Sequence, residues 1–156
     1  FSFYSAFGKP RLKPTTEHEK GFEFPEKDAY QFYLKQGALK NLTKYMDGIK
    51  FWNELMHHPN YDEWWKKRDA RRGCKNIKAA TLIVGGTFDA EDCFGAWNLY
   101  KAIENQSKSN SNKLVMGPWF HGGWHRSNGS YLGNVRFENK TSEYYQDNIE
   151  IPFFYY

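Results

Sequence analysis

Residues 79–89 read Ala79-Ala80-Thr81-Leu82-Ile83-Val84-Gly85-Gly86-Thr87-Phe88-Asp89, and this stretch decides the fold. An apolar run rich in β-branched residues, too short for a helix and stopped by two glycines, is the pattern of a strand buried on both faces. Just downstream, Cys93, Ala96, Trp97, Tyr100 and Ile103 share one helical face, which predicts a helix from about Ala90 to Gln106. A Ser- and Asn-rich loop from Ser107 to Asn112 then leads into a second apolar strand, Lys113 to Met116. Strand, helix and strand in that order form the crossover unit of a parallel sheet, so the class is α/β. Two strands are too few to stand as a sheet, and further strands are expected from other chain or another molecule.

Upstream of this unit the pattern changes. From about Asp28 to Arg72, Tyr30, Phe32, Tyr33, Leu39, Leu42, Tyr45, Met46, Ile49, Trp52 and Leu55 recur at three- and four-residue spacings. Gly37, Gly48 and Pro59 break them into short helices, with another from Tyr61 to Arg71. Before Pro25, Gly8, Pro10, Pro14 and Gly21 punctuate any helix, so irregular wrapping chain is expected. Downstream, Gly122, Gly123, Asn128, Gly129 and Gly133 predict a loop, Leu132 to Phe137 a short strand, and Thr141 to Ile149 a last helix capped by Thr141 or Ser142. The domain reading is a helical region over 1–74 and an α/β region over 75–156. The chain starts on Phe1 and ends on the apolar run Phe153, Phe154, Tyr155 and Tyr156, so both ends are expected to be cuts in a longer protein.

Composition narrows the function classes. Aromatic residues make up 19% of the chain and charged residues 26%, with a mean hydropathy of −0.85. No stretch approaches the roughly 20 apolar residues of a membrane span, so no membrane partner is expected. The net charge of +4 comes from 22 basic residues mixed with 18 acidic ones. The densest basic cluster, Lys66, Lys67, Arg68, Arg71 and Arg72, reads as a solvated helix end rather than a nucleic-acid surface. Cys74 and Cys93 form no Cys-x-x-Cys pair and are expected to be buried as small apolar residues. His121 and His125 are separated by Gly122 and Gly123, which disfavours a helical metal pair, and His57 and His58 point apart on a helix. Neither a metal nor another cofactor is expected.

Chemistry concentrates after the two strands. Asp89, Glu91 and Asp92 follow the first, at the sheet edge where parallel α/β proteins gather catalytic groups. Asp89 is also well suited to cap the next helix, with Asp92 completing the pair. Gly117-Pro118-Trp119-Phe120-His121-Gly122-Gly123-Trp124 follows the second strand and brings an imidazole to the same edge. Acid after one strand and histidine after the next is the later half of the Ser, acid, His order of α/β-hydrolases. No Gly-x-Ser-x-Gly elbow stands in the sequence, and the nucleophile is expected upstream.

Three blocks carry a more specific resemblance: Gly85-Gly86-x-Phe88-Asp89-Ala90-Glu91-Asp92, Tyr100-Lys101-Ala102-Ile103-Glu104, and Met116-Gly117-Pro118-Trp119-x-His121-Gly122-Gly123-Trp124. The chain resembles the α-amino acid ester hydrolases, grouped with cocaine esterase, cephalosporin-processing acylases and the Xaa-Pro dipeptidyl-peptidases. His58-Pro59-Asn60-Tyr61-Asp62-x-x-Trp65 is similar to the helical cap of that group, and residues 141–154 to its exit toward a jelly-roll domain. The resemblance implies a partial α/β-hydrolase fold with a preceding helical cap region. It implies Asp89 and His121 as catalytic acid and histidine, and Glu91 and Asp92 as carboxylates that receive a substrate ammonium. Thr87 stands where it implies an aromatic residue.

The expected activity is that of a serine hydrolase acting through an acyl-enzyme on small-molecule esters or amides. α-Amino acid esters or β-lactam-type acyl donors are the first substrates in view, with Xaa-Pro dipeptide release as the alternative. A chain without the serine is expected to be inactive alone. The rival class is a non-catalytic aromatic binding module built on Trp52, Trp64, Trp65, Trp119 and Trp124. Self-association into a homo-oligomer is left open. Localisation is unread from these residues; only the resemblance suggests a periplasmic or secreted protein.

Overall fold

A computed structural model of the chain describes residues 1–46 and 48–155. Tyr156, the last residue of the terminal apolar run, lies outside the described residues. The chain divides into two compact units between Lys67 and Arg68.

The first unit is helical. It contains α1 (Ser2–Phe7), α2 (Ala29–Gln36), a 3-10 segment Leu39–Tyr45, α3 (Lys50–His57) and α4 (Glu63–Lys66). Its core is Phe32, Leu42, Met46, Ile49 and Trp52, with Phe1, Tyr4, Phe22, Phe24 and Met56 packed against it. Of the residues at helical spacings the five core residues form the buried face, whereas Tyr30, Tyr33, Leu39 and Tyr45 are exposed. Helix α1 departs from the irregular chain expected there; it is held because Ser5 Oγ donates to Ser2 O and accepts the Phe22 N–H, both at 2.6 Å. At the other end Asp62 caps α4, accepting the Trp64 N–H at 2.9 Å. His58 Nδ1 meets the other oxygen of Asp62 at 2.6 Å, and Trp65 Nε1–H donates to His58 O at 2.7 Å. The His58 contact first, and then the Trp65 and Trp64 N–H groups, hold the Asp62 carboxyl below its ordinary value against the opposing effect of burial.

In the second unit β1 (Thr81–Gly86) pairs in parallel with β2 (Asn112–Gly117), with Gly86 opposite Gly117. Helix α5 (Cys93–Gln106) connects them. Strand β1 runs through Gly85 and Gly86, the glycines expected to stop it, and β2 ends on Gly117. Helix α5 begins at Cys93 rather than Ala90, because Asp92, not Asp89, is its N-cap and accepts the Gly95 N–H at 3.0 Å. Residues 68–74, assigned from sequence to the helical region, pack with this unit. Ser107 Oγ–H donates to Cys74 O at 2.8 Å and Gln106 Nε2–H to Arg71 O at 2.7 Å. Cys74 is buried, whereas Cys93 is only partly so, since it opens α5.

Beyond β2 come α6 (Gly123–Arg126), a two-residue hairpin β3 (Tyr131–Leu132) and β4 (Val135–Arg136), and α7 (Thr141–Tyr145). A π-helical stretch, Gln146–Glu150, joins α7 to α8 (Ile151–Tyr155). The loosened turn sits just before Pro152, which has no N–H to continue an α ladder. Lys140 occupies the N-cap of α7 without a side-chain bond, so neither Thr141 nor Ser142 caps it. Their hydroxyls are drawn elsewhere.

Candidate active site

The parallel register sets the site. Because Gly86 and Gly117 are paired, the loops that leave the two strands start side by side. Thr87 N–H donates to Gly117 O at 2.8 Å and Phe88 N–H to Trp119 O at 3.2 Å, which stitches one loop to the other. Thr87 Oγ–H adds a third contact, to Gly117 O at 3.0 Å. An aromatic side chain at this position could not make it. The stitching requires small residues: a Cβ on Gly86 would collide with the Trp119 carbonyl, and one on Gly117 with the Trp119 ring. Gly122 has φ +74, a left-handed backbone that glycine adopts without strain, and so turns the chain from His121 directly into α6.

This geometry brings Asp89 and His121 together. Asp89 Oδ2 lies 2.9 Å from His121 Nδ1. A carboxylate only accepts, so Nδ1 carries the proton and the neutral ring keeps its lone pair on Nε2. Asp89 Oδ1 accepts the Glu91 N–H at 2.8 Å and the Asp92 N–H at 3.0 Å. The Asp89 side chain is 4% exposed and that of His121 45%. A fixed anion therefore sits behind a ring whose outer nitrogen meets solvent.

The two groups pull each other's protonation in opposite directions. Burial pushes the Asp89 carboxyl up, but the Glu91 N–H, His121 and the Asp92 N–H outweigh it and leave the group below its ordinary value. The Asp89 hydrogen bond first of all raises the His121 imidazole above its ordinary value; partial burial opposes this. The negative charges of Asp89 and Glu91 add to the rise, and Arg126 counters it.

The other two carboxylates part company. Glu91 Oε2 is 3.9 Å from His121 Nε2, beyond a hydrogen bond but beside the nitrogen that faces solvent. Asp92 Oδ1 is committed to the Gly95 N–H, and a Cβ on Gly95 would collide with that carboxylate. Asp92 thus has a structural occupation that Glu91 lacks. Arg126, which sequence reading passed over, lies against Gly122, its Nε 3.1 Å from where a Cβ there would stand, and its charge acts on His121. The available signal was Gly122-Gly123 followed by a short helix, which brings residue 126 back to Gly122.

Of the five tryptophans offered as a ligand platform, two are already occupied by packing. Trp52 and Trp119 are core side chains, 1% and 3% exposed. Trp52 and Trp64 belong to the first unit, Trp119 and Trp124 to the second. Among the described residues, no group of three or more His, Cys, Asp or Glu side chains is placed to hold a metal ion. No described helix is long and apolar enough to cross a membrane.

Comparison with known proteins bears on this arrangement. The family model for X-Pro dipeptidyl-peptidase (S15 family) matches residues 8–123. An α-amino acid ester hydrolase labelled with selenomethionine is 28% identical, with a TM-score of 0.85 over 99% of this chain and 25% of that one. An aminopeptidase from the marine sediment archaeon Thaumarchaeota archaeon is 30% identical, with a TM-score of 0.76 over 87% of this chain and 23% of that one. The chain spans about a quarter of the length of both structures. No curated protein matches it.

Proposed function

This chain belongs to the X-Pro dipeptidyl-peptidase family (S15 family), a group of α/β-hydrolase type, and on that footing we propose that Asp89 and His121 are the acid and the base of its catalytic triad. The observation that carries the reading is the 2.9 Å contact from a buried carboxylate to Nδ1 of a half-exposed imidazole. Asp89 holds the tautomer in which Nε2 can take a proton from a serine hydroxyl and return it to the leaving group. The attacking serine and its oxyanion hole belong to chain outside residues 1–156. The first, helical unit serves as a cap region.

The substrate class proposed is an ester or amide with a free α-amino group, cleaved through an acyl-enzyme. α-Amino acid esters and β-lactam-type acyl donors fall within it. In this reading Glu91, whose Oε2 lies 3.9 Å from Nε2, meets the substrate ammonium, and the second oxygen of Asp92 assists. A second reading, release of an X-Pro dipeptide, is favoured by the family match itself and makes use of the same free amine. The test compares kcat/KM for matched amino and des-amino esters in the parent hydrolase. Glu91→Gln should slow only the amino ester, by about three- to tenfold, the upper end applying if the substrate covers the carboxylate. Equal slowing of both esters would remove Glu91 from recognition. Cleavage of an Ala-Pro anilide in preference to either ester would select the second reading.

A further inference from the structure

We infer that Thr141 and Ser142 are positioning residues for His121, a consecutive pair of hydroxyls that grips the histidine loop on both sides. The inference rests on His121 being the base proposed above. Its observations are independent of any substrate.

Two residues before His121, Trp119 Nε1–H donates to Thr141 Oγ1 at 3.0 Å. Two residues after it, Gly123 O accepts from Ser142 Oγ–H at 3.2 Å. That carbonyl also accepts the Ser127 N–H at 3.2 Å and the Ser127 hydroxyl at 3.0 Å, so the Trp119 side is the more singly held. Trp119 is itself the junction of the site. Its carbonyl takes the Phe88 N–H from the Asp89 loop, and its ring packs 5.4 Å from Tyr145 on α7.

The pair has no capping duty to explain it. Lys140 holds the N-cap position of α7, and the Thr141 hydroxyl spends its own proton on Gly129 O at 2.9 Å. Gly129, at φ +75, lies so close that a Cβ there would collide with the Ser142 N–H and both hydroxyls. Ser142 is fully buried. The start of α7 is thus locked to the turn beneath it, and from this fixed base the two hydroxyls reach Trp119 and Gly123. The loop between those anchors carries only Phe120, His121 and Gly122, leaving little freedom for the imidazole to leave Asp89.

Nuclear magnetic resonance of the His121 ring in the parent hydrolase tests this without following catalysis. Thr141→Val removes the acceptor for Trp119 and keeps the shape. The expected results are faster solvent exchange of the His121 Nδ1 proton, by about five- to tenfold for the loss of one hydrogen bond, and a His121 titration midpoint that falls back toward that of a free imidazole. Thr141→Ser should restore both. Trp119→Phe, which deletes the donor, should reproduce Thr141→Val without adding to it in the double variant. Ile103→Val, in the buried face of α5, is the control for plain loss of stability and should leave both readouts in place. Should Thr141→Val fail to fold, the comparison of Trp119→Phe with the parent chain decides. Unchanged exchange and midpoint, or an equal response to Ile103→Val, overturns the inference. A hydrolase reading that is itself wrong shows elsewhere, in parent activity that survives His121→Ala.

Discussion

Gly86→Ala should break the site while leaving its two charged groups untouched. The added Cβ would sit 2.8 Å from the Trp119 carbonyl carbon, with the oxygen closer still. Carbon atoms in contact rest at about 3.5 Å or more, so the carbonyl has to retreat by at least about 0.7 Å, and further to clear its oxygen. Neither party is a flexible side chain, so no rotamer change relieves the clash. Moved by that amount, the Asp89 to His121 contact goes from 2.9 Å to about 3.6 Å, which is no longer a hydrogen bond. The Phe88 N–H to Trp119 O bond at 3.2 Å opens with it. In the parent hydrolase a displacement approaching 1 Å is expected to cost up to about a hundredfold in kcat. The His121 midpoint should fall there as well, because its principal support is the Asp89 bond. The assay is the pH titration of the His121 ring protons, beside a denaturant curve to confirm folding. A folded Gly86→Ala chain with an unchanged midpoint would refute the claim that the close approach of the two loops sets the contact.

The remaining predictions concern charge and capping. Asp89 is depressed and His121 raised, so the signs differ: the Asp89 contribution to stability is present above about pH 4 and is lost as pH falls through its folded pKa, whereas that of His121 is complete below about pH 6.5 and is lost as pH rises through its folded pKa. Denaturant curves should therefore show the stabilisation lost by Asp89→Asn to be largest between those limits, and a pH-independent loss would contradict the pairing. Glu91→Gln should lower the His121 midpoint and Arg126→Gln raise it, both shrinking in about 1 M salt, whose screening length of about 3 Å is shorter than the contact; shifts of the same sign would show that neither acts through its charge. Asp92→Ala should cost about 1 kcal/mol of stability through the lost cap on α5, while Asp92→Asn, which caps as well, should cost much less.

Much of the site could be read before any coordinates, for a physical reason. Thr81 to Val84 is too apolar and β-branched to be anything but a strand, though one half-buried here rather than covered on both faces, and parallel strands joined by a helix must release their following loops at one edge. Asp89 and His121 meet because that topology leaves them no other place. What could not be read was decided by competition. Asp89, Glu91 and Asp92 can each cap a helix, and local sequence does not choose among them. Asp89 meets His121 with one oxygen and with the other holds only the turn at residues 90–92, so the cap of α5 falls to Asp92 and the helix starts three residues late. Thr141 and Ser142 look like caps for the same local reason, yet Trp119 and Gly123 claim their hydroxyls across the fold. Trp52 and Trp119 illustrate a third limit: an indole suits a ligand platform or a core equally well, and only the packing around it tells which.

If Asp89 and His121 activate a serine outside these residues, as proposed, covalent labelling will find it. A parent hydrolase carrying this segment would be treated with a fluorophosphonate and the labelled peptide identified, in native form and as His121→Ala. One labelled serine outside residues 1–156 is expected, with labelling slowed by about a thousandfold or more in His121→Ala. Label on a serine of this chain, or equal rates in the two proteins, would contradict the proposal.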